Sequence, residues 1–248
     1  MTTNTQLLRS PGRQLLVDTS FAGVTESWLT PGFWGERARP VATGGRGGAW
    51  FLETDRGEMV LRHYLRGGMA ARLSRCSYLF TGFRRSRSLA EFNLLQSLAA
   101  HGLPVPVPVA ALAVRNGLIT YRAAILLLRI PGACPLPAVA ELEDGQLWRD
   151  VGQLLRRFHD CGLDHVDLNC DNILLAEGQL WLIDFDRCRL HTRHGVNARW
   201  KRRNMLRLQR SVEKRCQHIP PARREQLWQL LCNGYRGDEL SSAAPVGD

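Results

Sequence analysis

The sequence predicts an α+β fold in two lobes, the first rich in β-strands and the second mainly helical. Short apolar runs, separated by glycines and other turn residues, fill the chain up to about residue 128. After Pro131-Gly132 the apolar residues recur at the spacing of helices. We therefore expect an N-terminal lobe over residues 1–127, a hinge over 128–132 and a helical C-terminal lobe over 133–248.

The composition fits a globular chain with a core of its own. Its 248 residues are 44% apolar and 8% aromatic, which excludes wholesale disorder, a collagen-like repeat and a pure coiled coil. The net charge is +10, and only two of the 33 basic residues, Lys201 and Lys214, are lysines. Arginine is a planar fork suited to phosphates and carboxylates, although a GC-rich coding sequence explains the same bias equally well.

The sequence shows no sign of secretion or of a membrane span. Its longest apolar runs are too short or too rich in proline to cross a bilayer, and residues 1–10 lack the order of a secretory signal. The seven cysteines include no CxxC pair, which argues against a zinc site and a disulfide framework. We expect a protein of the reducing cytosol.

The N-terminal lobe is predicted to open irregularly and then to form a hairpin. Proline and glycine recur through the first forty residues, so we expect no regular secondary structure there. Ala49–Leu52 and Met59–Arg62 predict two strands, because Asp55-Arg56-Gly57 between them has turn chemistry. The glycine-rich stretch before this hairpin contains Gly44, Gly45, Gly47 and Gly48.

This glycine-rich stretch is a candidate for covering a bound phosphate. Glycines have no Cβ atom, so their backbone can approach phosphate groups closely. Trp50, however, stands where the motif G-x-G-x-x-G has its third glycine. A flexible hairpin tip is therefore the alternative interpretation.

A helix and a second pair of strands are predicted to complete the N-terminal lobe. Apolar residues recur at helical spacing over about Ser86–Ala100, until His101-Gly102 ends the pattern. Ala110–Val114 and Thr120–Leu128 predict two strands, with Asn116-Gly117 as the turn between them.

The C-terminal lobe is predicted to begin with an amphipathic helix over Gln146–Cys161. Further along, Ile173–Leu175 and Leu180–Ile183 flank the turn residues Glu177-Gly178 and predict a hairpin. The remaining chain is basic, and its pattern predicts helices.

Polar side chains with metal-binding chemistry lie at both ends of this hairpin. Asn172 precedes its first strand and Asp184 follows its second, so the returning chain should bring the two together. Their oxygens suit a hard cation such as Mg²⁺, with the carboxylate of Asp167 close by. Phosphoryl transfer needs such a set, because a metal binds the phosphates while a carboxylate orients the attacking hydroxyl. A buried polar turn between helix and hairpin is the alternative.

The spacing His165-x-Asp167-x-x-x-x-Asn172, followed by Asp184-Phe185, is similar to the catalytic core of the protein-kinase-like superfamily. The resemblance implies the bilobal protein-kinase-like fold, with ATP as phosphate donor and Mg²⁺ as cofactor. Asp167 would then be the catalytic residue, and Asn172 and Asp184 the metal ligands. Many protein kinases have lysine where this chain has Asn169, which argues against a protein Ser/Thr kinase.

The same resemblance assigns a phosphate-binding cation and its ion-pair partner to the N-terminal lobe. Lysine usually holds the cation's position, but both lysines of this chain lie beyond the catalytic loop, and Arg62 stands there instead. Arginine can bind phosphate through two parallel hydrogen bonds. Glu91 in the predicted helix is the expected partner of Arg62, and a solvent-exposed glutamate is the alternative.

Four segments carry a closer resemblance: Gly44–Trp50, Val60–Tyr64 with Arg66-Gly67-Gly68, Arg129–Gly132 and His165–Leu175. Over about residues 30–190 the chain resembles the 3-deoxy-D-manno-octulosonic acid (Kdo) kinase family of the lipopolysaccharide kinase group. The resemblance implies ATP-dependent phosphorylation of the Kdo 4-OH on a lipid A precursor, in lipopolysaccharide core synthesis. It also implies a peripheral location at the cytoplasmic face of the bacterial inner membrane.

Two basic stretches are candidates for contact with an anionic membrane surface. Arg66–Arg87 has no acidic residue, and Arg187–Arg224 carries 13 bases and one acid. Bases near a membrane each add about 1 kcal/mol of attraction to an anionic leaflet. Ordinary solvated faces enriched in arginine are the alternative. Neither stretch has the interleaved aromatics or the reading motif of nucleic-acid-binding proteins, so we expect no nucleic acid partner.

Two other functions are compatible with the sequence. A kinase of another core sugar, such as heptose, would keep the fold and change only the acceptor. A catalytically inactive kinase-like binding module would explain the missing lysine and the incomplete glycine motif. The presence of Asp167, Asn172 and Asp184 argues against an inactive module.

Overall fold

The computed structural model describes residues 5–41, 48–64, 78–192, 195 and 198–237. Its helices are α1 (Pro31–Trp34), α2 (Arg87–Ala100), α3 (Gly145–Asp160), α4 (Arg199–Arg215) and α5 (Pro221–Arg236). Its strands are β1 (Thr5–Ser10), β2 (Arg13–Asp18), β3 (Ala38–Pro40), β4 (Ala49–Thr54), β5 (Gly57–His63), β6 (Tyr78–Leu79), β7 (Pro108–Asn116), β8 (Thr120–Leu128), β9 (Cys134–Pro135), β10 (Leu163–Asp164), β11 (Ile173–Ala176), β12 (Gln179–Leu182) and β13 (Arg189–Leu190).

The chain divides into two units that interleave along the sequence. The first unit comprises Met1–Pro131 and Phe185–Cys188, and the second comprises Gly132–Asp184 and Arg189–Asp248. The short segment Phe185–Cys188 therefore belongs with the first unit, although the residues on both sides of it belong to the second.

The first unit is built on an antiparallel sheet. Its strand order is β1-β2-β7-β8-β5-β4-β3, and β6 also pairs with β8. The hairpins predicted within residues 49–62 and 110–128 are confirmed as β4–β5 and β7–β8. The helix predicted over about Ser86–Ala100 is confirmed as α2, which packs against β7 and β8.

The expectation that the first forty residues are irregular is wrong. β1 and β2 form a hairpin in which Thr5 lies opposite Asp18, and β2 pairs with β7. Gly12 has a φ of 72°, so Pro11-Gly12 marks the tip of a hairpin rather than a break in the structure. The apolar run Leu15–Val17 is buried in the sheet, which is the physical reason that this segment is ordered.

The core of the first unit holds β5 in place. Leu52, Met59 and Leu61 of β4 and β5 are fully buried, and Trp34 of α1 belongs to the same cluster. The indole nitrogen of Trp34 donates to the carbonyl oxygen of Trp28 at 2.9 Å, so this large side chain is buried with its polar atom bonded. This packing fixes the strand that carries Arg62.

In the second unit, α3 and α5 pack at very short range. A Cβ atom added to Gly152 would lie 2.1 Å from the carbonyl oxygen of Leu231, and one added to Gly234 would lie 2.2 Å from that of Arg149. Glycine at these two positions therefore allows the helix backbones to touch. The helix predicted over Gln146–Cys161 is confirmed as α3, shifted by one residue.

The predicted second hairpin is confirmed as β11–β12, with Ile173 opposite Leu182. β9 extends this small sheet by pairing with β11, and β10 pairs with β13. The basic tail is helical as predicted and forms α4 and α5.

Within the described part of the chain, none of the helices combines the length and the apolar character that crossing a bilayer requires.

Candidate active site

The loop between β10 and β11 contains Asp167 and is held together by a side chain of its own. Asn169 Oδ1 accepts hydrogen bonds from the backbone N–H groups of Asp171 at 3.0 Å and Asn172 at 3.2 Å. Asn169 Nδ2 donates to the carbonyl oxygen of Asp167 at 3.0 Å. Asn169 therefore braces this loop from within, which the sequence did not indicate.

The structure brings Asp167, Asn172 and Asp184 together within the second unit. Asn172 Nδ2 donates to the carbonyl oxygen of Asp167 at 3.0 Å. The backbone N–H of Ile183 donates to the carbonyl oxygen of Asn172 at 3.0 Å, which places Asp184 directly after the residue bonded to Asn172. The β11–β12 hairpin thus returns the chain to the loop as the spacing predicts.

The carboxylate of Asp167 is open to solvent. Its side chain is 60% exposed, and its Oδ1 lies 3.7 Å from Arg207 Nη1 on α4. An acceptor molecule can therefore reach this carboxylate without any rearrangement of the loop.

Asp184 has an unusual backbone conformation, with a φ of 64°. This left-handed region is sparsely populated by residues other than glycine, although aspartate tolerates it better than most. Holding a residue there costs about 1–3 kcal/mol, and such residues cluster at functional sites. The strain supports a functional role for this carboxylate.

His165 positions the loop from the protein interior. It is 1% exposed, and its Nε2 donates to the carbonyl oxygen of Ile183 at 3.1 Å. Burial lowers the pKa of His165 below its usual value, because the charged form is poorly solvated there. His165 therefore ties the loop to the end of β12 as a neutral donor.

Helix α4 supports the same loop from its outer side. Asn204 Oδ1 accepts from the backbone N–H of His165 at 2.8 Å, and its Nδ2 donates to Asp164 Oδ1 at 2.7 Å. Ser211 Oγ accepts from the backbone N–H of Cys170 at 3.1 Å. This supporting role of α4 was not predicted from the sequence. The spacing of seven residues between the polar side chains of Asn204 and Ser211 was the available signal, since it puts both on one helix face.

Arginines of α4 pair with acidic residues of the loop. Arg215 binds Asp171 through Nε and Nη2, with three contacts of 3.0–3.1 Å. Arg203 Nη2 donates to Asp164 Oδ2 at 3.2 Å. Part of the stretch Arg187–Arg224 therefore serves the loop, whereas the sequence indicated only a basic surface.

The oxygens of Asn172 and Asp184 fit a hard cation. Because Nδ2 of Asn172 donates to the loop, Oδ1 is the atom of this amide that a cation would take. Among the described residues, no three His, Cys, Asp or Glu side chains are grouped as a metal site. A Mg²⁺ ion here would complete its shell with phosphate oxygens and water, as is usual for this metal.

In the first unit, Arg62 lies near the end of β5, and the ion pair expected with Glu91 is present. Arg62 Nη2 donates to both carboxylate oxygens of Glu91. Glu91 is 2% exposed, so the alternative of a solvent-exposed glutamate is wrong. Arg62 pairs in register with Ala49, and the N–H of His63 donates to the carbonyl oxygen of Gly48 at 2.7 Å.

Tyr64 also contacts Glu91, a role that was not predicted from the sequence. Its hydroxyl donates to Glu91 Oε2, and the guanidinium carbon of Arg62 lies 5.2 Å from the centre of its ring. Burial, followed by the negative charge of Glu91, raises the pKa of Tyr64 well above its usual value. Tyr64 therefore stays a neutral donor to this carboxylate.

A second ion pair in the first unit joins helix α2 to the segment Phe185–Cys188. Arg87 Nε lies 3.1 Å from Asp186 Oδ1, and both side chains are mostly buried. The guanidinium carbon of Arg87 also lies 4.5 Å from the centre of the Tyr78 ring. The residue two positions after Asp184 is thus attached to the helix that carries Glu91.

The glycine-rich stretch is described at one position only. Gly48 is buried beside β5. The other predicted phosphate-binding glycines lie outside the described residues: Gly44, Gly45 and Gly47.

A model of the lipopolysaccharide kinase (Kdo/WaaP) family matches residues 32–235 of the chain. A 3-deoxy-D-manno-octulosonic acid kinase from Xanthomonas axonopodis pv. citri is 52% identical over 190 residues, which are 76% of this chain and 75% of that protein. The protein of the same name from Xylella fastidiosa is 48% identical over 188 residues, 75% of this chain and 74% of that protein.

Two solved structures show the fold. WaaP in complex with acyl carrier protein has a TM-score of 0.56 at 13% identity, covering 91% of this chain and 89% of that one. An aminoglycoside-3'-phosphotransferase of type VIII has a TM-score of 0.53 at 16% identity, covering 83% of this chain and 89% of that one. These likenesses confirm the predicted α+β, protein-kinase-like fold.

Proposed function

The chain belongs to the lipopolysaccharide kinase (Kdo/WaaP) family, and from this premise we propose that it transfers the γ-phosphate of ATP to the 4-OH of Kdo on a lipid A precursor. The enzyme is a phosphotransferase with an alcohol group as acceptor. One observation carries the proposal: Asp167, Asn172 and Asp184 share one cluster in a chain whose relatives, 52% and 48% identical, are named Kdo kinases.

Asp167 is the catalytic residue in this proposal. Its exposed carboxylate accepts or orients the proton of the attacking sugar hydroxyl while the new oxygen–phosphorus bond forms, the bond from the γ-phosphorus to the bridging oxygen breaks and ADP leaves. The hydrogen bonds from Asn169 and Asn172 to its carbonyl oxygen hold its backbone in place. His165 acts through the loop, because its ring is buried and bonded to Ile183.

Asn172 and Asp184 hold Mg²⁺ in this proposal. When bound, this metal neutralises charge on the β- and γ-phosphate oxygens of ATP. The strained backbone of Asp184 fixes the direction of its carboxylate, and the bond between Ile183 and Asn172 keeps the two ligands together. Such fixed positions reduce the reorganisation that phosphoryl transfer requires.

Arg62 binds the phosphates of ATP in place of the usual lysine. Its side chain is 22% exposed and is oriented by Glu91, which Tyr64 in turn holds by a hydrogen bond. The backbone of the glycine-rich stretch would cover the same phosphates, through Gly44, Gly45, Gly47 and Gly48.

The relatives favour Kdo over heptose as the acceptor sugar. Both are named as Kdo kinases, and each of them shares about half of its aligned residues with this chain. The inactive-module alternative has less support, because the catalytic carboxylate and both metal-ligand candidates are present and lie in one cluster.

Transfer of radiolabelled phosphate from ATP tests this function directly. We expect the wild-type chain to label a Kdo-bearing lipid A precursor and Asp167→Asn to lose about a hundredfold or more in kcat. Asp55→Asn is the matched control, because Asp55 lies exposed in the β4–β5 turn. Full activity of Asp167→Asn would remove the catalytic assignment, and a preference for heptose-bearing acceptors would establish the alternative.

We further propose that the protein works at the cytoplasmic face of the inner membrane, and that the basic stretch Arg66–Arg87, apart from the mostly buried Arg87, is attracted to the anionic lipids. The sequence supports this location, since the stretch carries six arginines and no acidic residue. Flotation with anionic and neutral vesicles tests it. We expect binding to the anionic vesicles only, weakened by salt. Equal binding to both kinds of vesicle would contradict an electrostatic attachment.

A further inference from the structure

A basic cavity lies on the second unit, beside the loop that carries Asp167. Its volume is about 460 Å³, and it opens between the loop and α4. The loop contributes Asn169 and Asp171. Helix α4 contributes Arg207, Arg210, Ser211, Lys214 and Arg215.

The cavity has more basic side chains than the neighbouring acidic residues can neutralise. Three arginines of α4 each face one acidic residue: Arg203 faces Asp164, Arg207 faces Asp167 and Arg215 faces Asp171. Arg210 and Lys214 are exposed, and no carboxylate among the described residues lies within ion-pair distance of either. Two positive charges therefore remain available to a ligand.

The spacing of these cations is unfavourable for the helix alone. Arg203, Arg207, Arg210 and Lys214 follow one another at intervals of four, three and four residues, so they form one stripe. Like charges at this spacing repel each other and destabilise a helix. An anion bound across Arg210 and Lys214 would relieve that repulsion.

The cavity lies within reach of the reacting group. Arg207 lines the cavity and also lies 3.7 Å from the carboxylate of Asp167. In a sugar acid, the carboxylate is only a few ångströms from the ring hydroxyls. An acceptor hydroxyl at Asp167 therefore brings the carboxylate of the same sugar close to α4.

We propose that Arg210 and Lys214, with Arg207 at the rim towards Asp167, form the anion subsite that binds the acceptor's carboxylate. The inference rests on the proposed function, since it takes Kdo, a sugar acid, as the acceptor. It assigns the choice of acceptor to charges on α4, because an uncharged sugar would leave both cations without a negative charge to neutralise them. Guanidinium and ammonium groups bind carboxylates through strong, charge-assisted hydrogen bonds.

Steady-state kinetics of single variants test the subsite. Arg210→Ala and Lys214→Ala should each raise KM for the Kdo acceptor about tenfold, the effect of losing one charged hydrogen bond, and leave KM for ATP unchanged. The matched control is Arg202→Ala, which removes the same charge from the face of α4 that lies towards α5. The acceptor is dispersed in detergent, so that membrane attachment does not enter the measurement.

Chemical changes to the acceptor identify which anion is bound. With the methyl ester of the Kdo carboxylate, wild type should lose more in kcat/KM than the tenfold that either substitution costs, because the ester loses both cations at once. The double variant Arg210→Ala/Lys214→Ala should lose little on esterification. If the variants instead become insensitive to removal of the lipid phosphates, the subsite binds those phosphates and the carboxylate assignment is wrong. A rise in KM for ATP, or a rise equal to that of Arg202→Ala, would also overturn it.

Binding of the free Kdo monosaccharide, measured by titration calorimetry, separates this inference from the proposed function. We expect wild type and Arg202→Ala to bind it equally, and Arg210→Ala and Lys214→Ala to bind it about tenfold more weakly. If wild type transfers phosphate to no Kdo acceptor, the proposed function fails, while the calorimetry still tests the subsite. If the enzyme is active and all four proteins bind equally, only the subsite is wrong.

Discussion

Arg62 and Glu91 form a mostly buried ion pair in which one guanidinium nitrogen bonds to both carboxylate oxygens. The side chain of Arg62 is 22% exposed and that of Glu91 is 1% exposed. The Tyr64 hydroxyl donates to one of the same oxygens, so the buried carboxylate has two donors. The chain has no lysine before residue 201, and this ion pair holds the positive charge of Arg62 in place near the end of β5.

We expect the stability of the fold to depend on both members of this pair. Arg62→Ala should lower the free energy of unfolding by about 3–5 kcal/mol, because it leaves the buried Glu91 carboxylate without its cation. Arg62→Lys should cost less, about 1–2 kcal/mol, since the charge remains and the planar fork is lost. Urea denaturation measures both. Equal losses for the two variants would contradict this, because they would show that a positive charge without the guanidinium geometry contributes nothing.

The Arg87–Asp186 ion pair should be measurable as a coupling energy. A double-mutant cycle with Arg87→Gln and Asp186→Asn should give about 0.5–1 kcal/mol, because both side chains are mostly buried. The cycle with Arg39→Gln and Glu53→Gln is the control, since that pair is 2.8 Å apart but 71% and 51% exposed. Additive effects of Arg87→Gln and Asp186→Asn would mean that Asp186 is not attached to α2 in solution.

The buried imidazole of His165 should make the fold sensitive to acid. Burial lowers its pKa in the folded chain below 6.5, so the unfolded chain takes up the proton first. The free energy of unfolding should therefore decrease as the pH falls below about 6.5, until the pKa of the folded state is reached. Urea denaturation at a series of pH values measures this slope. His165→Gln keeps a donor for the Ile183 carbonyl oxygen and should make the free energy of unfolding less dependent on pH. An unchanged pH dependence would show that His165 does not cause it.

Close contact between α3 and α5 should make Gly152 intolerant of any side chain. Gly152→Ala places a Cβ atom 2.1 Å from a backbone oxygen of α5, and we expect a loss of about 1–3 kcal/mol on thermal unfolding. The better helix propensity of alanine, about 1 kcal/mol, is too small to offset it. Gly32→Ala is the control, because nothing lies within 4 Å of the added atom. Equal melting temperatures for both variants would contradict the contact.

Local patterns made the arrangement of the loop around Asp167 predictable from the sequence. The hairpin of residues 173–182 is short, so its ends must meet, and this alone brings Asn172 and Asp184 together. The ion pair between Arg62 and Glu91 was predicted from the resemblance to kinases. The two residues are 29 positions apart, so residue spacing alone could not have predicted their contact.

The missed features depend on contacts that no local pattern encodes. Asn204 bonds to His165 across 39 positions, and its seven-residue spacing from Ser211 marks a polar helix face without indicating which loop that face contacts. The strands β1 and β2 were overlooked because Pro11-Gly12 was interpreted as a break in regular structure. Only pairing with β7, about a hundred residues later, shows that the segment is a hairpin of the sheet.

The assignment of Phe185–Cys188 to the first unit constrains how relatives of this protein can be recombined. A chimera joined only after Pro131 would combine Arg87 from one parent with Asp186 from the other, and would divide the first unit between two sequences. A chimera that keeps each unit whole needs junctions at 131/132, 184/185 and 188/189. A single crossover that exchanges one half of the chain between relatives is therefore disfavoured. The residues at positions 87 and 186 should also vary together in evolution.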